Sequence, residues 1–520
     1  MKTELTHRFT NRLKIAMSFA GLMLSSSLIF AQTPNRSIID GIMNEEATNS
    51  QLQPLAHELF DGVGPRLVGT PQMVKAADWA IEKYKSWDIP AHKENWGVWR
   101  GWERGISHID MISPRVKSLE GTQLAWSPGM GKKTVTAETI IIPDLADSIE
   151  FQKWLPNVKG KIVLISMCQP TGRPDENWTE FGLKESIEKM KADRIAETAA
   201  WAKRIKKTGY TGRTLPIALE NAGAVGIISN YWSAGFGVDK IFSAYTKKAP
   251  TVDVALEDYG VLYRLTETGT PPTISLHTES KELGEVPTFN TIAEIKGTEK
   301  PDEYVMLSAH FDSWDGGTGA TDNGTGTLTM MEAMRLLKKF YPHPKRTILV
   351  GHWASEEEGL NGSRAFVEDH PEIVKNLQAL FNQDNGTGRV VNLSGSGYTD
   401  AGEFLSRWLS AVPDTIKNRI KTNFPGSPGG GGSDFASFDA VGAPGFSLGS
   451  LNWAYGSYTW HTNRDTYDKI VFDDLRNNAV LAAIMAYMAS EDPAKTKNMK
   501  VQGVKWPEPV KAIRHGGLDK

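Results

Sequence analysis

Residues 304–340 read YVMLSAHFDSWDGGTGATDNGTGTLTMMEAMRLLKKF, and the change of texture along them decides the fold. Tyr304–Ala309 is a short continuous apolar run, as in a strand covered on both faces. Thr325–Phe340 carries apolar residues at helical spacing, and the loop between the two is rich in glycine. The same order returns downstream. TILVGHW (Thr347–Trp353) precedes a short helix over Leu360–Glu368, and LQALFN (Leu377–Asn382) precedes a helix over Glu403–Ile420. A strand near Pro444–Leu448 then precedes a helix over Asp473–Ser490. This alternation predicts an α/β fold, a three-layer doubly wound mixed sheet.

Upstream the texture differs. Asn49–Trp87 has helical spacing broken by the turn Gly62–Pro65, and strand-like pieces follow at His92–Trp99 and Ile106–Ile112. KGKIVLISM (Lys159–Met167), GAVGIIS (Gly223–Ser229) and PTVDVALEDYGVLYRL (Pro250–Leu265) read as short buried strands with a helix between them. Leu183–Lys207 is dense in Lys and Glu at i,i+4 spacing, which predicts a solvated helix. PGSPGGGGSD (Pro425–Asp434) reads as a flexible loop without the strand–loop–helix order of a phosphate site.

The chain has 520 residues, 40% hydrophobic and 23% charged, ordinary for a globular protein with a large core. A formal net charge of -3 gives no sign of a nucleic-acid-binding surface. Lys2, Arg8, Arg12 and Lys14 precede the apolar run Ile15–Phe30, with Ala31 as the last residue before a cut. That order predicts a secretory signal peptide over residues 1–31 and export to the periplasm or the extracellular space. No membrane anchor is expected after its removal. Cys168 is the single cysteine, so no internal disulfide forms and stability rests on core burial and bound metal. Following an apolar run, Cys168 reads as a buried structural thiol.

The polar residues of interest share one topological property. His310 and Asp312 follow one predicted strand, Glu356 and Glu357 follow another, and Asp384 ends a third. In open α/β sheets, sites form at the carboxyl ends of strands. Taken singly, each has a plainer reading: a lone His as core or surface, Glu356–Glu358 as a solvated face, Asp384 as a turn former. Those readings leave the common position unexplained. A mixed His and carboxylate set without thiolate suits zinc or a similar metal, and a metal pair needs a bridging carboxylate. Asp322, at the end of the loop WDGGTGATDNGTG, is the natural bridge. Of adjacent glutamates, one can ligate while the other acts as general base, and Asp312 is placed to fix the tautomer of His310. His343 and His352 are expected to be structural.

HFDSWDGGTGATDNGTG, SEEEGLNGS, FNQDNGTG and TWHTNRDTYD resemble, in order, the site motifs of zinc metallopeptidase family 28. The resemblance is close over Val286 to about Asp492 and looser over Asn49–Ile112. It implies a sheet of the zinc exopeptidase type and two zinc ions. His310 and Asp384 would hold one ion and Glu357 and His461 the other, with Asp322 bridging. It further implies Glu356 as base, Asp312 as the partner of His310, and a cis peptide after Asp322. Residues 36–131 and 286–495 would form the discontinuous peptidase domain, and 496–520 a C-terminal extension. Residues 132–285 resemble a mainly-β protease-associated domain inserted in some members. The early insert resembles the dipeptide-cleaving branch of plasma glutamate carboxypeptidase (carboxypeptidase Q), with aminopeptidases of the family as the alternative. Peptide is the implied substrate, and a homodimer is left open.

Phe435, Tyr455 and Tyr458, with Trp453 and Trp460, are candidate walls of a side-chain pocket, with core packing as the alternative. Two other functions compete: a non-catalytic receptor on the same fold, and a one-zinc acyl-transfer or cyclising enzyme. The complete ligand set argues against the first, and the presence of both Asp322 and Asp384 against the second.

Overall fold

In the computed structural model, residues 34–429 and 432–517 are described; the predicted signal peptide lies outside them. The described residues from Arg36 onwards form one compact unit. Its framework is a mixed sheet whose centre is the parallel trio Leu377–Asn382, Lys300–His310 and Arg346–Trp353. Gly445–Ser450 extends the trio on one side, parallel to 377–382. Thr273–Ile295 extends it on the other, antiparallel to 346–353. Strands 346–353 and 377–382 are buried throughout, which is why they read as unbroken apolar runs.

Helices cover both faces. Thr325–Phe340 is buried from Thr325 to Leu337 and packs against Phe472–Glu491, itself buried along most of its length. Pro71–Ser86 starts on Thr70, whose hydroxyl accepts from the Met73 amide at 3.3 Å, and Pro71 occupies the first turn, where no amide is needed. The expected helix over Glu403–Ile420 is two helices, Ala401–Leu409 and Asp414–Lys417. Pro413 between them cannot donate the backbone bond that would continue the first.

Three expectations are corrected upstream. The strand pieces around 92–99 and 106–112 are one 23-residue strand, Ala91–Ser113, which Gly101 and Gly105 let run on past its bulges. It pairs antiparallel along the 23-residue strand 273–295, and this ribbon joins the peptidase sheet to a second, smaller one. The segment 132–285 is not mainly β. Apart from 273–285, which belongs to the long ribbon, its strands Val135–Ile141, Ile162–Leu164, Gly226–Ser229 and Thr251–Val254 are short, and the helices Ser148–Trp154, Lys184–Lys207, Thr214–Asn221 and Leu256–Glu267 outweigh its strands. Parallel strands need crossovers; helices supply them from 141 to 162 and from 164 to 226, whereas the irregular stretch 230–250 makes the third. Lys184–Lys207 buries only Met190, in line with its charged composition. Cys168 is half-buried instead of buried, and burial pushes its thiol up.

Helix Arg36–Asn49 is fastened to helix 325–340 by charge. Arg335 donates to Glu332 and Glu45, each at 2.7 Å, and Glu332 is fully buried. Glu46, 2% exposed, faces this cluster, and burial with the charge of Glu332 pushes its carboxyl up to about 9. The folded state therefore keeps a proton that the unfolded chain releases above about pH 4.5, so this group costs stability as pH rises from about 4.5 towards 9. Glu46→Gln is expected to be more stable than the parent by about 1 kcal/mol or more at pH 8, and to lose that advantage at pH 5. Denaturant midpoints of both proteins at the two pH values check this.

Candidate metal centre

Strand ends deliver the polar groups. His310 is the last residue of strand 300–310, and Glu356 and Glu357 follow strand 346–353 through Ser355, whose φ is 60°. Asp384 lies two residues beyond strand 377–382. A buried chain of side-chain bonds aligns these ends. Trp353 Nε1 donates to Ser308 Oγ (2.8 Å), Ser308 Oγ donates to Asn382 Oδ1 (2.6 Å), and Asn382 Nδ2 donates to Ser433 Oγ (2.9 Å).

The five candidate ligands form two groups that share Asp322. His310 Nε2 lies 3.3 Å from Asp322 Oδ1 and 3.3 Å from Asp384 Oδ1. His461 Nε2 lies 3.4 Å from Asp322 Oδ2 and 3.0 Å from Glu357 Oε2. Within each group the ligand atoms all fall within 4.8 Å of one another. One carboxylate thus offers one oxygen to each side. Asp322 Oδ2 and Glu357 Oε1 are buried without a hydrogen-bond partner, as expected of atoms shaped to meet a cation.

The electrostatics agree. Burial, reinforced by the charge of Asp322, pushes Glu357 well above the usual carboxylate range. Burial works against a charged His310, yet Asp384 and Glu356 lift it well above its ordinary value. Burial takes His461 down to about 4 against the pull of Asp322, leaving a neutral imidazole. So much buried negative charge with so few cations fits a site built for metal.

Asp312 has a broader role than its spacing suggested. His310 Nδ1 sits 3.1 Å from the Asp312 carbonyl oxygen, which can only accept, so Nε2 is left free to ligate. The Asp312 carboxylate is 3.6 Å from Nδ1 and also accepts from the amides of Glu356 (3.2 Å) and Glu357 (3.3 Å). It joins the turn carrying both glutamates to the turn carrying His310.

Several supporting residues escaped the sequence reading. Asp465 accepts from the amides of Thr321 (2.7 Å) and Asp322 (3.0 Å), fixing the bridging residue. Its signal was present in TWHTNRDTYD, four residues past His461. Arg66 is fully buried and donates to the carbonyls of Phe311 (2.6 Å), Thr318 (2.8 Å) and Gly319 (2.8 Å), clamping the loop before Asp322. Gly319 has φ +61°, and a Cβ there would sit 2.3 Å from Ser313 Cβ and 2.9 Å from Arg66 Nη2. The peptide between Asp322 and Asn323 is cis. His461, with φ 60°, is held by the smaller sheet's segment: Ile241 donates to its carbonyl (2.8 Å), and Asn463 donates to the Asp239 carbonyl (3.0 Å). From the same segment, Lys240 Nζ lies 4.0 Å over the Trp460 ring.

A cavity of about 740 Å³ opens onto the centre, lined by Asp322, Glu356, Glu357, Asp384, His461, Tyr455 and Trp460. Of the five candidate pocket walls, Tyr455 and Trp460 line it. Phe435 is half-buried against the apolar cluster of Trp353, Phe366 and Phe438, and Tyr458 lines a neighbouring hollow. Trp453 is half-exposed and donates to Asp474 at 3.0 Å. His352 is structural: fully buried, 2.6 Å from the Tyr84 hydroxyl.

Comparison with known proteins adds the family. Residues 290–486 match the model of peptidase family M28. The chain is 28% identical to carboxypeptidase Q of Bos taurus over 88% of either chain, and 27% identical to that of Rattus norvegicus over 83% and 84%. The structure of a peptidase M28 precursor from Shewanella amazonensis is similar, with a TM-score of 0.64 and 24% identity over 88% of this chain and 97% of that one. The zinc aminopeptidase of Bacillus subtilis shares the fold, with a TM-score of 0.55 and 18% identity over 87% and 97%. Taken with the strand-end site motifs and the sheet, these likenesses mark residues 290–486 as a peptidase family M28 domain in a chain similar to carboxypeptidase Q.

Proposed function

We propose that this chain is an exported exopeptidase that binds two zinc ions and hydrolyses dipeptides or short peptides. The observation that carries the reading is the division of Asp322 between His310 and Asp384 on one side and Glu357 and His461 on the other. Imidazole and carboxylate donors without thiolate suit zinc. Two bound ions would acidify a water held between them and polarise the scissile carbonyl. The N-terminal charge pattern supports export, and among the described residues no helix is long and apolar enough to cross a membrane.

Glu356 belongs to neither ligand group but lines the same cavity. Burial, only partly offset by His310, pushes its carboxyl well above the usual range, which gives it the proton affinity a base needs at neutral pH. It takes a proton from the attacking water and passes it to the leaving nitrogen. Burial beside Asp322 keeps the Tyr455 phenol protonated, so the wall offers a hydrogen-bond donor. The cavity volume suits a short peptide.

Glu356→Gln is expected to keep both metals while turnover falls ~10²–10⁴-fold. Metal analysis beside steady-state kinetics reads both, and full activity would remove Glu356 from the role. Free dipeptides are expected to be cleaved, and N-blocked dipeptides and aminoacyl chromogens poorly. Preference for the chromogens would favour an aminopeptidase instead. Because Asp465 orients the bridging residue, Asp465→Ala is expected to weaken zinc binding ~10–100-fold in competition with a chelator. Unchanged affinity would leave Asp465 a purely structural group.

A further inference from the structure

Among the described residues, Arg364 is the only Lys or Arg that lines the cavity over the metal centre. It belongs to the helix Asn361–Asp369, directly after the turn that carries Glu356 and Glu357. Its Nη1 lies 3.8 Å from where a Cβ would stand on Gly359, so the guanidinium lies across that turn. The acidic residues of its own helix are already engaged: Arg514 pairs with Glu368 at 3.0 Å and with Asp369 at 2.8 Å. The carboxylates whose charges reach Arg364 are Asp434 and Glu356. Among the described residues its guanidinium forms no ion pair or hydrogen bond. A half-buried, unpaired guanidinium facing a cavity is a ready partner for an anion. Lys240, the other cation near the centre, sits behind the Trp460 ring and does not line the cavity.

Proton transfer fixes which end of a peptide lies near Arg364. Glu356 protonates the leaving nitrogen, so that nitrogen must come within hydrogen-bonding reach of Glu356. In a dipeptide, the carbon attached to that nitrogen carries the terminal carboxylate. The carboxylate therefore falls on the Glu356 side of the cavity, where Arg364 stands. We infer that Arg364 binds the C-terminal carboxylate of the substrate and so confines cleavage to the last peptide bond. This rests on the proposed assignment of Glu356 as base. The planar fork of a guanidinium matches a carboxylate through two parallel bonds, which a lysine cannot reproduce.

The test compares the zinc-loaded parent with Arg364→Met and Arg364→Lys on free dipeptides and on their C-terminal amides. Binding lost equally in ground and transition states raises KM and leaves kcat nearly alone. Arg364→Met is expected to raise KM for free dipeptides about 10–100-fold, with a much smaller change in kcat, and Arg364→Lys to recover part of the loss. The amides, weak substrates of the parent, are expected to respond little to either change. A second arm measures calorimetric binding of a reduced-bond dipeptide, which cannot be hydrolysed, and of its amide. The parent should prefer the carboxylate form and Arg364→Met should not. An unchanged KM for free dipeptides, or equal losses on acids and amides, overturns the inference. If the parent binds the reduced-bond acid through Arg364 but cleaves no dipeptide, the dipeptidase reading fails, and with it the confinement of cleavage, while carboxylate binding by Arg364 stands. Cleavage that ignores the C-terminus in parent and variant alike has the opposite meaning.

Discussion

Three buried carboxylates around two imidazoles form an arrangement that the protein alone cannot neutralise, and the shared carboxylate of Asp322 is the point through which the other contacts run. Desolvation disfavours every charge in such a cluster. Burial pushes Glu357 up, whereas Asp322, equally opposed by burial, is held low by the hydrogen bond from His310 and by the charge of that imidazole. A group that stays ionised between partners at 3.3 and 3.4 Å needs a rigid backbone behind it. Asp465 supplies that from one side through two amides, and Arg66 from the other through three carbonyls. Neither touches a ligand atom directly.

That division explains what could be read from sequence. Strand-end placement of His310, Glu357 and Asp384 follows from local texture, because an apolar run buried on both faces announces a strand and the polar residue after it marks the end. The bridging loop announces itself by its glycines. Arg66 and Asp465 carry no comparable local mark. They act on backbone groups 245 and 144 residues away, and no periodicity records a contact of that range. Phe435 illustrates the converse. An aromatic residue near a site motif looks like a pocket wall, but its ring faces the Trp353 and Phe438 cluster because the short helix Phe435–Ala440 turns that side inward.

Between residues 91 and 295 the sequence was harder to read, for a different physical reason. Bulges along Ala91–Ser113 break the alternation that marks a strand, so one long element looked like two. In the smaller sheet, strands of three or four residues are too short for periodicity to outweigh the helices around them. The smaller sheet is nonetheless coupled to the chemistry. Ile241 donates to the His461 carbonyl, the Asp239 carbonyl accepts from the Asn463 amide, and Lys240 lies over the ring of Trp460. One candidate metal ligand therefore takes its position from the segment between 132 and 285, although all five candidates lie after it in the chain.

The family match and the relatives make the chemistry peptide hydrolysis, but the fold is shared by proteins that differ in which end of a peptide they attack. The structural likeness to an aminopeptidase at 18% identity concerns the sheet, and the sheet contributes strand ends, not cavity walls. Direction must come from side chains beyond the ligands. In this chain those are the turn and helix running from Gly359 to Arg364 on the side of Glu356, and Tyr455 and Trp460 on the side of His461. The first group brings a positive charge and the second brings aromatic surface. A peptide lying across the candidate metal centre would thus meet different chemistry at its two ends, and an asymmetry of that kind is what an enzyme specific for chain ends requires.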